Sequence, residues 1–94
     1  MARYGTVKSL TDITKINQKI RSQVRTAKSD RALAELYRQS MYLITLTYSS
    51  SWRNIENIAG IRTRAKSEFS KTARLINVKF RKLGIKKKYD TKWK

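Results

Sequence analysis

The eight residues "MYLITLTY", 41–48, decide the fold class. Taken alone they suit a strand, because Ile, Thr and Tyr are enriched in sheets and so short an apolar run has no clear period. Taken with the residues before them, they continue a helix. Ala32, Leu33, Leu36 and Tyr37 lead into Met41, Leu43, Ile44 and Tyr48, an apolar set covering more than half the girth of a helix. Arg31, Glu35 and Arg38 supply only a narrow polar strip, with Glu35 four residues after Arg31 and three before Arg38. Ser29 stands where an N-cap is needed. The spacing predicts a helix over about 30–48, central to the fold and packed on by its neighbours.

Upstream, Ile13, Ile16, Ile20, Val24 and Ala27 recur at spacings of three and four, one stripe of a helix over about 10–27. Ser9 can cap it, and Asp12 falls in the first turn, where negative charge offsets the positive helix end. The chain has no proline, and its only glycines are Gly5, Gly60 and Gly84, too few turn residues for an all-β fold. The expectation is a compact all-α, three- to four-helix domain filling residues 1–94.

Downstream, "SSSW", 49–52, breaks the apolar pattern. Ser51 is expected to cap a short helix over about 52–59 that carries Trp52, Ile55, Ile58 and Ala59, with Gly60 as its left-handed stop. A last long helix is expected from after Thr63 to about 83, with Ala65, Phe69, Thr72, Ile76, Phe80 and Leu83 on its core stripe. Gly84 and Ile85 then form a second helix stop. A short helix, a turn with glycine and a longer helix is the order of parts in a helix-turn-helix or a winged relative. Ile55, Gly60, Ile61 and Phe69 fit that pattern, whereas Glu56 and Lys66 do not.

Charge is the strongest functional signal. Lys and Arg number 23 against six acids, a net +17 on 94 residues. Residues 1–28 carry +6, residues 29–61 are neutral and residues 62–94 carry +11. Such segregated charge opposes compaction, and a polyanionic partner is the economical reason for keeping it. On a helical wheel that places Ala65 at zero, Arg64, Lys71, Arg74, Arg81 and Lys82 fall between about 160° and 260°, opposite the core stripe. They form a basic face about 30 Å long, with Glu68 as its only acidic neighbour. Lysines there neutralise phosphates, and Arg64, Arg74 and Arg81 add a guanidinium fork for guanine edges or phosphates.

Two basic arms flank this unit. Arg3, Tyr4 and Lys8 lie in an N-terminal arm, residues 1–8, of the kind that enters a minor groove. Residues 86–94, "KKKYDTKWK", have no apolar periodicity and are expected to lie outside the core. There Lys86, Lys87, Lys88 and Lys92 would track phosphates while Tyr89 and Trp93 stack on bases, or else Trp93 folds back on the domain. Both arms are expected to be mobile without a ligand. Arg62 and Lys66 complete the candidate contacts.

Catalysis has little to stand on. His and Cys are both absent, which removes the usual zinc ligands, thiol nucleophile and commonest general base. The carboxylates Asp12, Asp30, Glu35, Glu56, Glu68 and Asp90 are scattered, with no pair at a spacing suited to a metal-dependent nuclease. The expectation is a non-enzymatic protein with no cofactor, no metal and no small-molecule substrate. No apolar run approaches a membrane span and no signal-peptide layout opens the chain, so a cytoplasmic location is expected. Double-stranded DNA is the expected partner, with a homodimer compatible, in an accessory or regulatory factor of a phage, plasmid or other mobile element. The alternatives are a ribosomal-type RNA-binding protein, a basic inhibitor of an acidic protein, and a cationic membrane-active bundle.

Overall fold

A computed structural model describes residues 9–93. Among them the chain forms three helices and no strand: α1 Leu10–Thr26, α2 Asp30–Leu46 and α3 Ile58–Lys82. The stretch 41–46 is helical, as its continuity with the preceding residues required, and Thr47 closes α2. Both expected N-caps are in place. The Ser9 hydroxyl accepts from the Asp12 amide at 3.2 Å, and the Ser29 hydroxyl from the Ala32 amide at 3.1 Å.

The side-chain contacts fix how the helices run. Near the start of α3, Arg64 shares a surface depression with Leu10 and Thr14 of α1. Further along, Arg21 meets Glu68 and Thr72, and near the α3 end Lys79 reaches the Arg25 carbonyl. So α1 and α3 lie side by side in the same direction. In contrast, α2 runs against α3: Arg62 donates to the Thr47 carbonyl, and Lys87, just beyond α3, pairs with Asp30.

The core is built from the faces that point between the helices. Ile13, Ile20 and Val24 of α1, Leu33, Leu36, Leu43 and Ile44 of α2, and Ala65, Phe69, Ala73, Ile76 and Phe80 of α3 are all buried. Inside this apolar set the three helices meet at one amide. Asn17 Nδ2 donates to the Ile13 carbonyl at 3.0 Å, while its Oδ1 accepts from Ser40 Oγ at 2.8 Å and Thr72 Oγ1 at 3.4 Å. A buried amide with three partners fits only one register of the bundle, because slippage would leave it unsatisfied.

The segment between α2 and α3 departs from expectation. The short helix over 52–59 does not form. A single 3-10 turn, Ser50–Trp52, tucks Trp52 into the core, and the chain then turns through Asn57 at φ 58°. Gly60 is no stop. It lies in the first turn of α3, which begins six residues earlier than Thr63–Arg64 suggested. Its lack of a side chain has a local reason, since a Cβ there would come within 2.6 Å of the Asn57 carboxamide oxygen. With one helix running from residue 58 to 82, the two-helix unit that the helix-turn-helix pattern required within 52–76 is absent.

Gly84 does end a helix. At φ 72° it lets its own amide bond back to Arg81 O at 3.1 Å and the Ile85 amide to Phe80 O at 2.8 Å. This pair of bonds is a Schellman stop, and Ile85 packs against the core beside it. The segment after Gly84 is a second departure, because it belongs to the fold. Tyr89 and Trp93 are packed on the core as a C-terminal strap rather than extending into solvent.

Candidate nucleic-acid interface

The amphipathic pattern of α3 sets the first part of the surface. With Ala65, Phe69, Ile76 and Phe80 turned inward, Arg64, Lys71, Arg74, Arg81 and Lys82 are all exposed on the opposite side. Their span of 18 residues corresponds to about 27 Å along the helix. Arg64, Arg74, Arg81 and Lys82 have no ion-pair partner among the described residues, so their charge faces solvent undiminished.

Glu68 borders the basic face from the buried side. It is 1% exposed and enters a charged cluster between α1 and α3. Arg21 Nη2 lies 2.9 Å from its Oε1, and Lys71 Nζ lies 3.2 Å from its Oε2. The other Arg21 nitrogen reaches Thr72 Oγ1 at 3.4 Å, which joins this cluster to the Asn17 amide. Burial of Glu68 thus keeps this acid out of solvent and pairs it with Arg21 below the face and with the exposed Lys71 on it. Lys71 is consequently less available to a ligand than its neighbours.

Arg62 and Lys66 sit beside α2 rather than on the outer face. The Arg62 guanidinium stacks over the Tyr48 ring at 4.2 Å and donates through Nε to the Thr47 carbonyl at 3.1 Å. Lys66 Nζ approaches the same ring at 5.6 Å. Both cations therefore fasten α3 to the end of α2, although Tyr48 keeps half of its surface exposed. The cation–π contacts explain why a lysine at position 66 does not need the aliphatic burial of a helix-turn-helix.

The strap places its rings and its lysines on opposite sides. Tyr89 stacks on Tyr37 at 4.2 Å and meets Phe80 edge-on at 5.3 Å, and Trp93 meets Phe69 edge-on at 6.1 Å. Asn77 holds the strap backbone at both ends of one peptide-sized clamp: its Oδ1 accepts from the Tyr89 amide at 2.9 Å, and its Nδ2 donates to the Tyr89 carbonyl at 3.0 Å. Tyr37 Oη donates to the Asp90 carbonyl at 3.0 Å, and burial pushes the Tyr37 phenol above the ordinary tyrosine range, with the Asp90 charge adding to the effect. Lys86, Lys88 and Lys92 are exposed. Lys87 is bound to Asp30 at 2.6 Å, and this hydrogen bond holds its ammonium above the usual lysine range.

No protein-family model, curated protein or solved structure matches this chain. The candidate surface is therefore described from its geometry alone. Two depressions gather the expected residues. Arg64 lines an open one with Lys15 and Gln18 of α1, and Arg81 lines another, of about 470 Å³, with Lys86, Lys87 and Lys88. Arg74 and Lys82 lie on the exposed helix face, whereas Tyr89 and Trp93 face the core. Arg3, Tyr4 and Lys8 fall outside the described residues. Lys15, off the α1 stripe, was not among the expected contacts but shares the first depression with Arg64. Lys79, also outside the expected set, has a structural contact and donates to Arg25 O at the end of α1 at 2.7 Å. Among the described residues, no helix is long and apolar enough to cross a membrane.

Proposed function

We propose that this chain is a non-catalytic nucleic-acid-binding protein that grips the backbone of duplex DNA along the outer face of α3. The observation that carries this reading is the exposure of Arg64, Arg74, Arg81 and Lys82 along one rigid helix while Glu68 is turned inside. Basic side chains held at fixed spacing displace counterions from successive phosphates, and the released ions supply affinity that falls as salt rises. A helix held by a packed core keeps those charges in place before the ligand arrives, so less ordering entropy is lost on binding.

The inward packing of Tyr89 and Trp93 favours a duplex over a single strand. Unpaired bases are gripped by stacking on exposed rings, and the strap rings are occupied by Tyr37, Phe69 and Phe80. The test is a titration with matched duplex DNA, single-stranded DNA and duplex RNA over 50–200 mM salt. Contact with about five phosphates predicts a log–log slope near −4.5 for duplex DNA, and a several-hundredfold loss across that range. Tighter binding to duplex RNA would move the assignment to an RNA-binding protein. Absence of salt-dependent binding to any of the three would refute the reading.

A further inference from the structure

The strap alternates. Ile85, Tyr89, Thr91 and Trp93, at odd positions, are turned at least partly inward, whereas Lys86, Lys88, Asp90 and Lys92 are exposed. Lys87 breaks the alternation: it is exposed although at an odd position, and its ammonium pairs with Asp30. Residues 85–91 form neither helix nor turn, and an extended chain advances about 7 Å for every two residues. Lys86 and Lys88 thus stand on the outer side of the strap, at most about 7 Å apart along the chain. Together with Arg81 from the last turn of α3, they line an open depression that Gly84, Ile85 and Lys87 also border, Lys87 being the one paired with Asp30. The Schellman stop fixes the backbone at Gly84 and Ile85, and the Asn77 clamp fixes the strap beyond it.

We propose that Arg81, Lys86 and Lys88 form a preorganised seat for a phosphate of the nucleic-acid backbone, and that Lys87 serves as the latch of the strap on Asp30. Tyr89 is a positioning residue, because its ring and its peptide hold the lysines without touching the ligand. This rests on the duplex-binding reading above and gives it a defined end-point on α3. A loose lysine tail would engage phosphates through all its lysines alike. A clamped strap cannot, since one of its three consecutive lysines is turned to a carboxylate of its own chain. The same three cations also offset the negative end of the α3 dipole. That role alone would change stability, not the number of phosphates engaged.

The experiment measures the salt slope for a 20-base-pair duplex with the full chain, after circular dichroism has shown each variant to keep its helix content. Arg81→Ala, Lys86→Ala and Lys88→Ala should each lower the slope by a fraction of one phosphate's worth, and the triple variant by about 0.9, whereas Lys87→Ala should leave it unchanged. Tyr89→Ala should keep the slope and weaken binding about fivefold at fixed salt, because the lysines must now be ordered on binding. Tyr89→Phe should restore the affinity, since only the ring and the peptide of Tyr89 make its contacts. Inorganic phosphate competing at millimolar concentration would extend the seat to free phosphate, and competition only by duplex would restrict it to the polymer. Either result supports the seat. Equal slope losses at Lys86, Lys87 and Lys88 would overturn it in favour of a free tail. Unchanged slopes in all variants, with Arg74→Ala still lowering it, would overturn the seat and leave the α3 reading standing. Failure of the unaltered chain to bind any duplex would overturn both.

Discussion

Gly84 and Gly60 look alike in the sequence, each between an apolar residue and an isoleucine, but they do opposite things. At Gly84 the backbone holds φ 72° and nothing lies within 4 Å of where a Cβ would stand, so the whole effect of a side chain is backbone strain. Gly84→Ala should therefore cost about 1 kcal/mol, measured by urea denaturation. At Gly60 the backbone is helical and the obstacle is the exposed end of Asn57, which can swing away. Gly60→Ala should be neutral or slightly stabilising, because alanine suits a helix better than glycine does. A larger loss at position 60 than at 84 would contradict both assignments. Glu68 is a second case in which one residue hides its role. On the wheel it lies between the core stripe and the basic face, and the partner that draws it inward, Arg21, is 47 residues away in sequence. Replacing it leaves Arg21 beside Thr72 without its counter-charge, so Glu68→Ala should cost about 3 kcal/mol. A loss below about 1 kcal/mol would mean that the cluster is no more than a surface ion pair.

At the scale of elements, what could be read was what local chemistry settles. The caps at Ser9 and Ser29, the stripes of α1 and α2 and the stop at Gly84 depend on residues within one or two turns of each other. The strap could not be read this way. Tyr89 and Trp93 have no periodic apolar company, and their partners Tyr37, Asn77 and Phe69 come together only once α2 and α3 are packed. The 49–57 connection failed for the same reason: Trp52 is buried from a three-residue turn, so its burial gives no helical period. The strap also has a pH dependence with a defined sign. Tyr37 must stay protonated to donate to the Asp90 carbonyl, and its folded-state pKa is raised above the unfolded one. Its contribution is complete below the ordinary tyrosine pKa of 10.0 and is lost as pH rises through the higher folded value. Tyr37→Phe removes a hydrogen bond worth about 1 kcal/mol and should lower Tm at pH 8. That difference from wild type should shrink above pH 10, and a constant gap from pH 8 to 11.5 would show that the phenol does not hold the strap.

At the scale of the whole molecule, the sum and segregation of charge were legible from composition, while its final arrangement was not. Burial of Glu68, the diversion of Arg62 and Lys66 to Tyr48, and the latch at Lys87 sort the twelve described C-terminal bases into those that hold the fold and those that face outward. This sorting bears on whether the protein reads sequence. Base readout by a helix-turn-helix needs a recognition helix with its first turns free to enter a groove. Here the first turns of α3 are occupied: Ile61 is buried, Arg62 is bonded to Thr47, and Gly60 sits under Asn57. The outward bases begin only at Arg64 and continue to the far end of the helix, an arrangement suited to following a backbone. Phosphate contact asks for positive charge, whereas a guanine edge asks for the guanidinium fork that lysine lacks. Arg74→Lys should then change affinity less than twofold on any duplex, and Arg74→Ala should weaken binding to unrelated duplexes equally while lowering the salt slope by about 0.9. Competition binding at fixed salt with a selected site and a scrambled duplex measures both. A loss of about 1–3 kcal/mol for Arg74→Lys confined to the selected site would establish base readout from the outer face of α3 and reject the backbone-following mode.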